Sequence, residues 1–259
     1  MTDQLANKVC IVTGAGRGIG RATAVGLGAA GASVLVNDLD VDAAEEVVEV
    51  IRDNGGMAFS NFERIGSTEA GEALVGSALE HFGKLDVLIN NAGLMRDRMT
   101  HNMTDEEFDS VIHVNLRGTW ACGQAAIRHW YPIAKEEARS GRPAVRKIIN
   151  VTSASGLKGA AGQSNYASAK MAIVGLTYTW AKEYGPLNIT CNAVAPTALT
   201  RMTEPLLEDE AAAVHRLSRF PLGRYAPPEE VARTYLYLAS ADSDYMTGNI
   251  VRIDGGLAI

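Results

Sequence analysis

Lys8-Val9-Cys10-Ile11-Val12-Thr13-Gly14-Ala15-Gly16-Arg17-Gly18-Ile19-Gly20 is the stretch that decides the fold. Val9 to Val12 is apolar throughout and reads as a buried strand. It runs into four glycines within seven positions, and a helix follows to about Ala30. A strand, a Gly-rich turn and a helix in that order aim backbone N–H groups and the positive end of a helix dipole at one point, where a pyrophosphate can sit. The spacing is Gly14-x-x-x-Gly18-x-Gly20, because Ile19 stands where the G-x-G-x-x-G template needs its last glycine. A merely flexible loop is the competing explanation. The position between a buried strand and an amphipathic helix favours the phosphate site.

Working outward, the unit repeats. A second strand, Ser33 to Asn37, ends at Asp38, eighteen residues after Gly20. An acid there can accept hydrogen bonds from adenosine ribose hydroxyls and repels a 2′-phosphate, which points to NAD rather than NADP. Arg17 argues the other way, since a guanidinium in the Gly-rich loop can pair with a phosphate. Strands are predicted at Met57–Phe62, Val87–Asn90, Lys147–Val151, Ile189–Val194 and Ile250–Ile253. Helices are predicted from about Ala43 to Asp53, over Thr68–Phe82, from about Asp105 through Ala134, from an N-cap at Ser164 or Asn165 after a Gly-rich loop from Gly156 to Gly162, and from near Pro228. Strands alternating with helices of this length predict βαβ units and an α/β, doubly wound parallel sheet of about seven strands with helices on both faces. Residues 1–259 are expected to form a single dinucleotide-binding and catalytic domain. The segment Lys135 to Arg146 is charged and bears Gly and Pro, so a surface connection is expected. Residues 197–225 suit a mobile lid over substrate at the sheet's carboxyl edge. Small residues in Asn90-Asn91-Ala92-Gly93 let backbone approach a ligand closely, although a plain turn explains them equally well.

Composition excludes several classes. Net charge is 24 − 30 = −6 with no basic run, which argues against nucleic acid as a partner. No apolar stretch reaches the length of a membrane span, and the short polar start from Met1 to Asn7 carries no signal peptide, so a cytoplasmic protein is expected. Cys10, Cys122 and Cys191 lie far apart and read as small buried hydrophobes. No Cys or His spacing suggests a metal.

The chemistry is expected in Ser153 through Lys170. Tyr166 and Lys170 lie four apart on a predicted helix and share a face. A phenol near pKa 10 is too weakly acidic to act as a base at neutral pH, and a neighbouring ammonium is expected to lower that value and permit proton shuttling to a hydroxyl or carbonyl. Ser153, at the carboxyl end of a strand, can hydrogen-bond the same oxygen. Tyr131/Lys135 and Tyr178/Lys182 have the same spacing but Gly118 and Asn165 stand thirteen residues upstream instead of a serine, so both pairs read as ordinary helix contacts. Asn115 falls mid-helix, where it is either a tolerated polar residue or a local break that holds a water.

Thr13-Gly14-x-x-x-Gly18-x-Gly20, Asn90-Asn91-Ala92-Gly93, Asn115, Ser153, Tyr166-x-x-x-Lys170, Pro196 and Asp254-Gly255-Gly256 together resemble the short-chain dehydrogenase/reductase family over nearly the whole chain. The resemblance implies a Rossmann-like fold. It implies Tyr166 as general acid/base, Lys170 lowering its pKa and holding the nicotinamide ribose, Ser153 orienting the substrate oxygen and Asn115 anchoring a relay water. It implies cofactor contacts at Gly14, Arg17, Gly18, Ile19, Gly20, Asp38, Asn91, Ala92, Gly93, Pro196 and Thr200, with a backbone contact at Ile65, and places Gln163 towards substrate. A homotetramer is implied too. Departures are Thr197 where the family usually has glycine after this proline, and Arg64, preceded by Glu63, where an acid is common. Asn90–Met99 and Thr200–Thr203 look like the 3-hydroxyacyl-CoA dehydrogenase and 3-oxoacyl reductase branches. The expected activity is hydride transfer between NAD(H) and a small-molecule secondary alcohol or ketone, such as a 3-hydroxyacyl or hydroxysteroid-like compound. The alternatives are an NADPH-dependent 3-oxoacyl reductase and a non-catalytic dinucleotide sensor.

Overall fold

The computed structural model describes residues 4–201, 203–204 and 209–258. Of the expected lid, Met202 and residues 205–208 lie outside the described residues. Among the described residues, seven strands form one sheet: β1 (Val9–Thr13), β2 (Ser33–Asn37), β3 (Met57–Asn61), β4 (Val87–Asn90), β5 (Arg146–Val151), β6 (Ile189–Pro196) and β7 (Ile250–Ile253). Their order is β3-β2-β1-β4-β5-β6-β7, every pair parallel. The sequence order reverses between β1 and β4, which opens a crevice outside their carboxyl ends.

The helices are α1 (Gly18–Ala29), α2 (Val41–Asp53), α3 (Thr68–Phe82), α4 (Asp105–Val111), α5 (Gly118–Arg139), α6 (Ala154–Lys158), α7 (Ser164–Tyr184), α8 (Glu210–Leu217) and α9 (Pro228–Ala239). Side chains alternate across each strand, and both sheet faces are covered, so the central strand β1 is buried at all five residues while the edge strands β3 and β7 are only partly buried. Cys10, Val12, Val34, Val36, Ile89 and Ile149 pack under Leu27 of α1, Val47 and Ile51 of α2 and Tyr235 and Leu238 of α9. Val9, Ile11, Leu35, Leu88 and Ile148 pack under Leu74 of α3, Trp130 of α5 and Trp180 of α7. Cys10, Cys122 and Cys191 are buried and unbridged, as expected.

Local chemistry sets the helix ends. Asp40 accepts from the Ala43 N–H to start α2, and Ser67 accepts from Ala70 N–H to start α3, each at 3.2 Å. Gly83 ends α3 at φ 77°, a left-handed conformation that costs glycine little. Thr104 and Glu107 form a reciprocal capping box on α4.

Three boundaries differ from expectation. α5 runs on to Arg139, into the segment expected as a connection, because Lys135 to Arg139 are strong helix formers and only Ser140-Gly141 stops them. The return to β5 is pinned where Arg146 donates two bonds to Glu137, each 2.8 Å long. The glycine-bearing stretch after Ser153 contains the short helix α6, capped by Ser153 itself. α7 begins at Ser164 with Gln163 as its cap residue, so neither Ser164 nor Asn165 serves as the cap.

Trp130 is fully buried and donates its indole N–H to the Leu85 carbonyl at 2.8 Å, joining α5 to the start of β4. Trp130→Ala is expected to destabilise the fold by about 3–5 kcal/mol in urea unfolding. A loss below about 1 kcal/mol would show that this contact is not central to the packing.

Candidate active site

The carboxyl ends of β1, β4, β5 and β6 converge on one crevice. Its first wall is the turn after β1. Gly14 has φ 61°, and a Cβ there would lie 2.7 Å from the Ala92 Cα. A Cβ on Gly20 would lie 2.1 Å from the Gly14 carbonyl oxygen and 2.5 Å from Asn91 Nδ2. These positions tolerate glycine alone, because two pieces of backbone touch there. Asn91 fastens the contact by donating to the carbonyls of Thr13 (3.0 Å) and Gly14 (2.9 Å). The Thr13 hydroxyl accepts from the N–H groups of Asn91 and Ala92, each at 3.1 Å.

α1 opens from this turn with no side-chain cap and no acid in its first turn. Its N-terminal N–H groups therefore present a positive end without a built-in anion, which fits a dinucleotide pyrophosphate. Ile19 lies in that first turn, partly buried against the α1/α2/α9 core. Asp38, just past β2, accepts from Gly16 N–H (2.8 Å) and Asp40 N–H (3.0 Å), so its carboxylate is fixed beside the Gly-rich turn. Arg17 is ion-paired with Asp40 on the exposed rim, an arrangement that holds Asp40 below the usual carboxylate range. The guanidinium expected to compete for a phosphate thus already has a carboxylate partner. Asn37 donates to the Asn61 side chain (2.9 Å) and the Glu63 carbonyl (3.0 Å), which shapes the turn leading to Ile65. The Ile65 side chain itself is buried towards Gly118.

The second wall carries the expected proton chemistry. Asn115 sits in a π-helical turn, Ile112–Arg117, between α4 and α5. Its Nδ2 donates to the Leu94 carbonyl (2.8 Å) and to the Val111 carbonyl (3.0 Å), four residues back in its own helix. Taking that acceptor widens the turn, which is the break anticipated for an interior asparagine. Its Oδ1 is buried and has no partner among the described residues. A Cβ on Gly93 would lie 2.9 Å from that oxygen and 3.7 Å from Lys170 Nζ. Glycine therefore keeps open a space flanked by a carboxamide oxygen and an amine.

Lys170 is buried, donates to the Val151 carbonyl at 2.8 Å, and lies 5.6 Å from the Tyr166 ring centroid. Burial without a carboxylate lowers its pKa to about 7. Burial raises the Tyr166 pKa to about 12, although the Ser153 hydroxyl beside it pulls the other way. This corrects the expectation that Lys170 lowers the phenol's pKa. Desolvation disfavours charge on both groups and is the largest influence on each. Of the other Tyr/Lys pairs, Lys135 Nζ stacks over the exposed Tyr131 ring at 4.7 Å, an ordinary contact away from the crevice.

Pro196 ends β6 at the same edge, and the segment after it crosses the cradle: a Cβ on Gly18 would lie 3.3 Å from the Thr200 methyl. Gln163 Nε2 donates to Asp97 at 2.7 Å. Asp97, Asn165 as a staple and Thr13 as a support carry no local signal of these roles. Asn165 is fully buried and donates to the carbonyls of Arg96 (3.0 Å) and Glu107 (3.1 Å), binding the loop after β4 to α4 and α7. An asparagine near a helix start signals a cap equally well, so only tertiary structure separates the two roles.

A family model described as Enoyl-(Acyl carrier protein) reductase matches residues 14–258. The chain is 39% identical to 3-oxoacyl-[acyl-carrier-protein] reductase FabG of Thermotoga maritima over 257 residues, which is 99% of this chain and 100% of that one. It is 41% identical to the short-chain reductase protein NovJ of Streptomyces niveus over 96% of this chain and 93% of that one. The chain belongs to the short-chain dehydrogenase/reductase family. A solved short chain dehydrogenase from Mycobacterium avium superposes with a TM-score of 0.82 at 39% identity, covering 97% of this chain and 84% of that one. As a short-chain dehydrogenase/reductase it is an oxidoreductase of ketone and hydroxyl groups that binds a nicotinamide dinucleotide, and the sensor alternative is set aside. Among the described residues no helix is long and apolar enough to cross a membrane.

Proposed function

We propose that this protein interconverts a secondary alcohol and a ketone with NAD(H), using Tyr166 to move the proton. The observation that carries this is the convergence of Ser153, Tyr166, Lys170 and the unpartnered Asn115 Oδ1 beside a glycine-only cradle. The turn Gly14 to Gly20, Asn91, Ala92 and Gly93 would hold the dinucleotide, with Pro196 and Thr200 at its nicotinamide end. A bound nicotinamide supplies or accepts the hydride. Tyr166 Oη–H donates its proton to the carbonyl oxygen in reduction, and Ser153 donates a second hydrogen bond to that oxygen. Lys170 Nζ and Asn115 Oδ1 flank a space fit for a bridging water, through which the phenolate regains a proton. Residues 1–259 work as one domain, with residues 197–225 closing over substrate.

Supporting NAD, Asp38 stands fixed where a ribose hydroxyl would meet it, and Arg17 is paired with Asp40. The second reading is an NADPH-dependent 3-oxoacyl reductase. It is favoured by the similarity to the Thermotoga maritima reductase. Exposed Tyr131, Ile133, Met171 and Tyr178 on α5 and α7 support assembly into a homotetramer, and three unbridged thiols suit the cytoplasm.

Tyr166→Phe is expected to lower kcat by about a thousandfold while the NADH dissociation constant stays within about twofold. Near-full activity in that variant would sink the assignment. The high phenol pKa sets a pH dependence: oxidation needs the phenolate and is expected to accelerate steadily from about pH 7 to 10, whereas reduction uses the phenol, which persists over that range, and is expected to change little. Oxidation rates flat over that range would contradict the role of Tyr166 as base.

Asp38→Ala is expected to raise NADPH affinity relative to NADH by at least about tenfold in fluorescence titration. An unchanged ratio would remove Asp38 as the discriminator, and a wild-type preference for NADPH would favour the second reading.

A further inference from the structure

Asp97 lies in the loop after β4 between Arg96 and Arg98, and no step above uses it. Its carboxylate accepts the Gln163 amide N–H at 2.7 Å. A carboxylate can only accept, so it must take the NH2 of Gln163 and turn the amide oxygen the other way. That oxygen is buried and has no partner among the described residues. The arrangement is braced on both sides: the Arg98 backbone N–H donates to the Gly162 carbonyl at 2.7 Å, and the Arg98 Nε–H is shared between the two Glu107 carboxylate oxygens at 2.8 and 3.0 Å. Arg98 is thus ion-paired with Glu107, and Asp97, exposed at the rim, raises the pKa of Tyr166, three residues beyond Gln163. The rim beside the proton donor presents an anionic carboxylate, and the amide oxygen it locks lies buried behind it.

We propose that Asp97 is a specificity-determining residue that holds Gln163 with its carbonyl inward and makes the site select uncharged ester or thioester ketones over free 3-oxo acids. A free 3-oxo acid brings a carboxylate two carbons from its ketone, and like charges at that separation repel strongly once water leaves. Esterification removes the charge. This inference rests on the ketone-reductase reading above.

The experiment compares acetoacetate with ethyl acetoacetate and the N-acetylcysteamine thioester of acetoacetate, with NADH and NADPH in parallel. Wild type is expected to reduce the ester and thioester and to discriminate against acetoacetate mainly through KM. Asp97→Asn keeps the shape, removes the charge and frees the amide of Gln163 to flip. It is expected to narrow the ester-to-acid ratio of kcat/KM by about tenfold. Asp97→Glu is expected to restore the ratio, and Asp97→Ser serves if the asparagine variant fails to fold. A second readout separates this from a merely structural role. The groups facing Tyr166 are Ser153, Lys170 and Asp97, with Tyr235 beneath on α9. Removing the Asp97 charge is expected to shift the alkaline rise of alcohol oxidation to lower pH. An unchanged ratio and an unmoved pH profile in a folded Asp97→Asn would overturn the proposal while leaving the ketone-reductase reading intact. Failure of wild type to reduce any of the three ketones with either cofactor would overturn both.

Discussion

The site depends on one buried amine. Lys170 Nζ lies out of water between the end of β5 and the first turns of α7, with the Val151 carbonyl at 2.8 Å and no carboxylate beside it. Burying an unpaired ammonium is costly, so the group gives up its proton near neutrality and does not stay charged. The same dry surroundings keep the Tyr166 phenol protonated. Burial thus biases both groups towards their neutral forms in the free protein.

Holding that amine in place takes a chain of polar contacts across the sheet. Asn90 donates to Asn150 at 3.0 Å, and Asn150 donates to Thr177 of α7 at 3.0 Å. Thr152 donates to the Lys170 carbonyl at 2.6 Å. A Cβ on Gly156 would lie 2.9 Å from the Lys170 backbone, so α6 rests directly on α7. The register that pairs Asn90 with Asn150 and Val151 with Val194 brings Gly93, Ser153 and Pro196 to one edge. Position along the sheet, more than any single contact, assembles the site.

Much of this was legible in the sequence. Strand positions followed from short, largely apolar runs between turn residues, and α3, β4 and β7 lie where their patterns put them. Tyr166 and Lys170 were legible because helical spacing is local. What was not legible depends on burial or on tertiary partners. Nothing local says that Lys170 is dry, so the direction of the Tyr166 shift was read backwards. Arg17 looked available until Asp40, twenty-three residues away, was found to hold it. Asp97 sat among arginines as an ordinary surface charge, and its bond to Gln163 spans 66 residues.

Tyr166 labelled with carbon-13 at Cζ, and assigned by the resonance missing in Tyr166→Phe, reports the proton directly. In the cofactor-free protein the phenol is expected to stay protonated to well above pH 10, in line with a value of about 12. A midpoint near pH 7 would show that Lys170 outweighs desolvation and would contradict the neutral pair on which the mechanism rests.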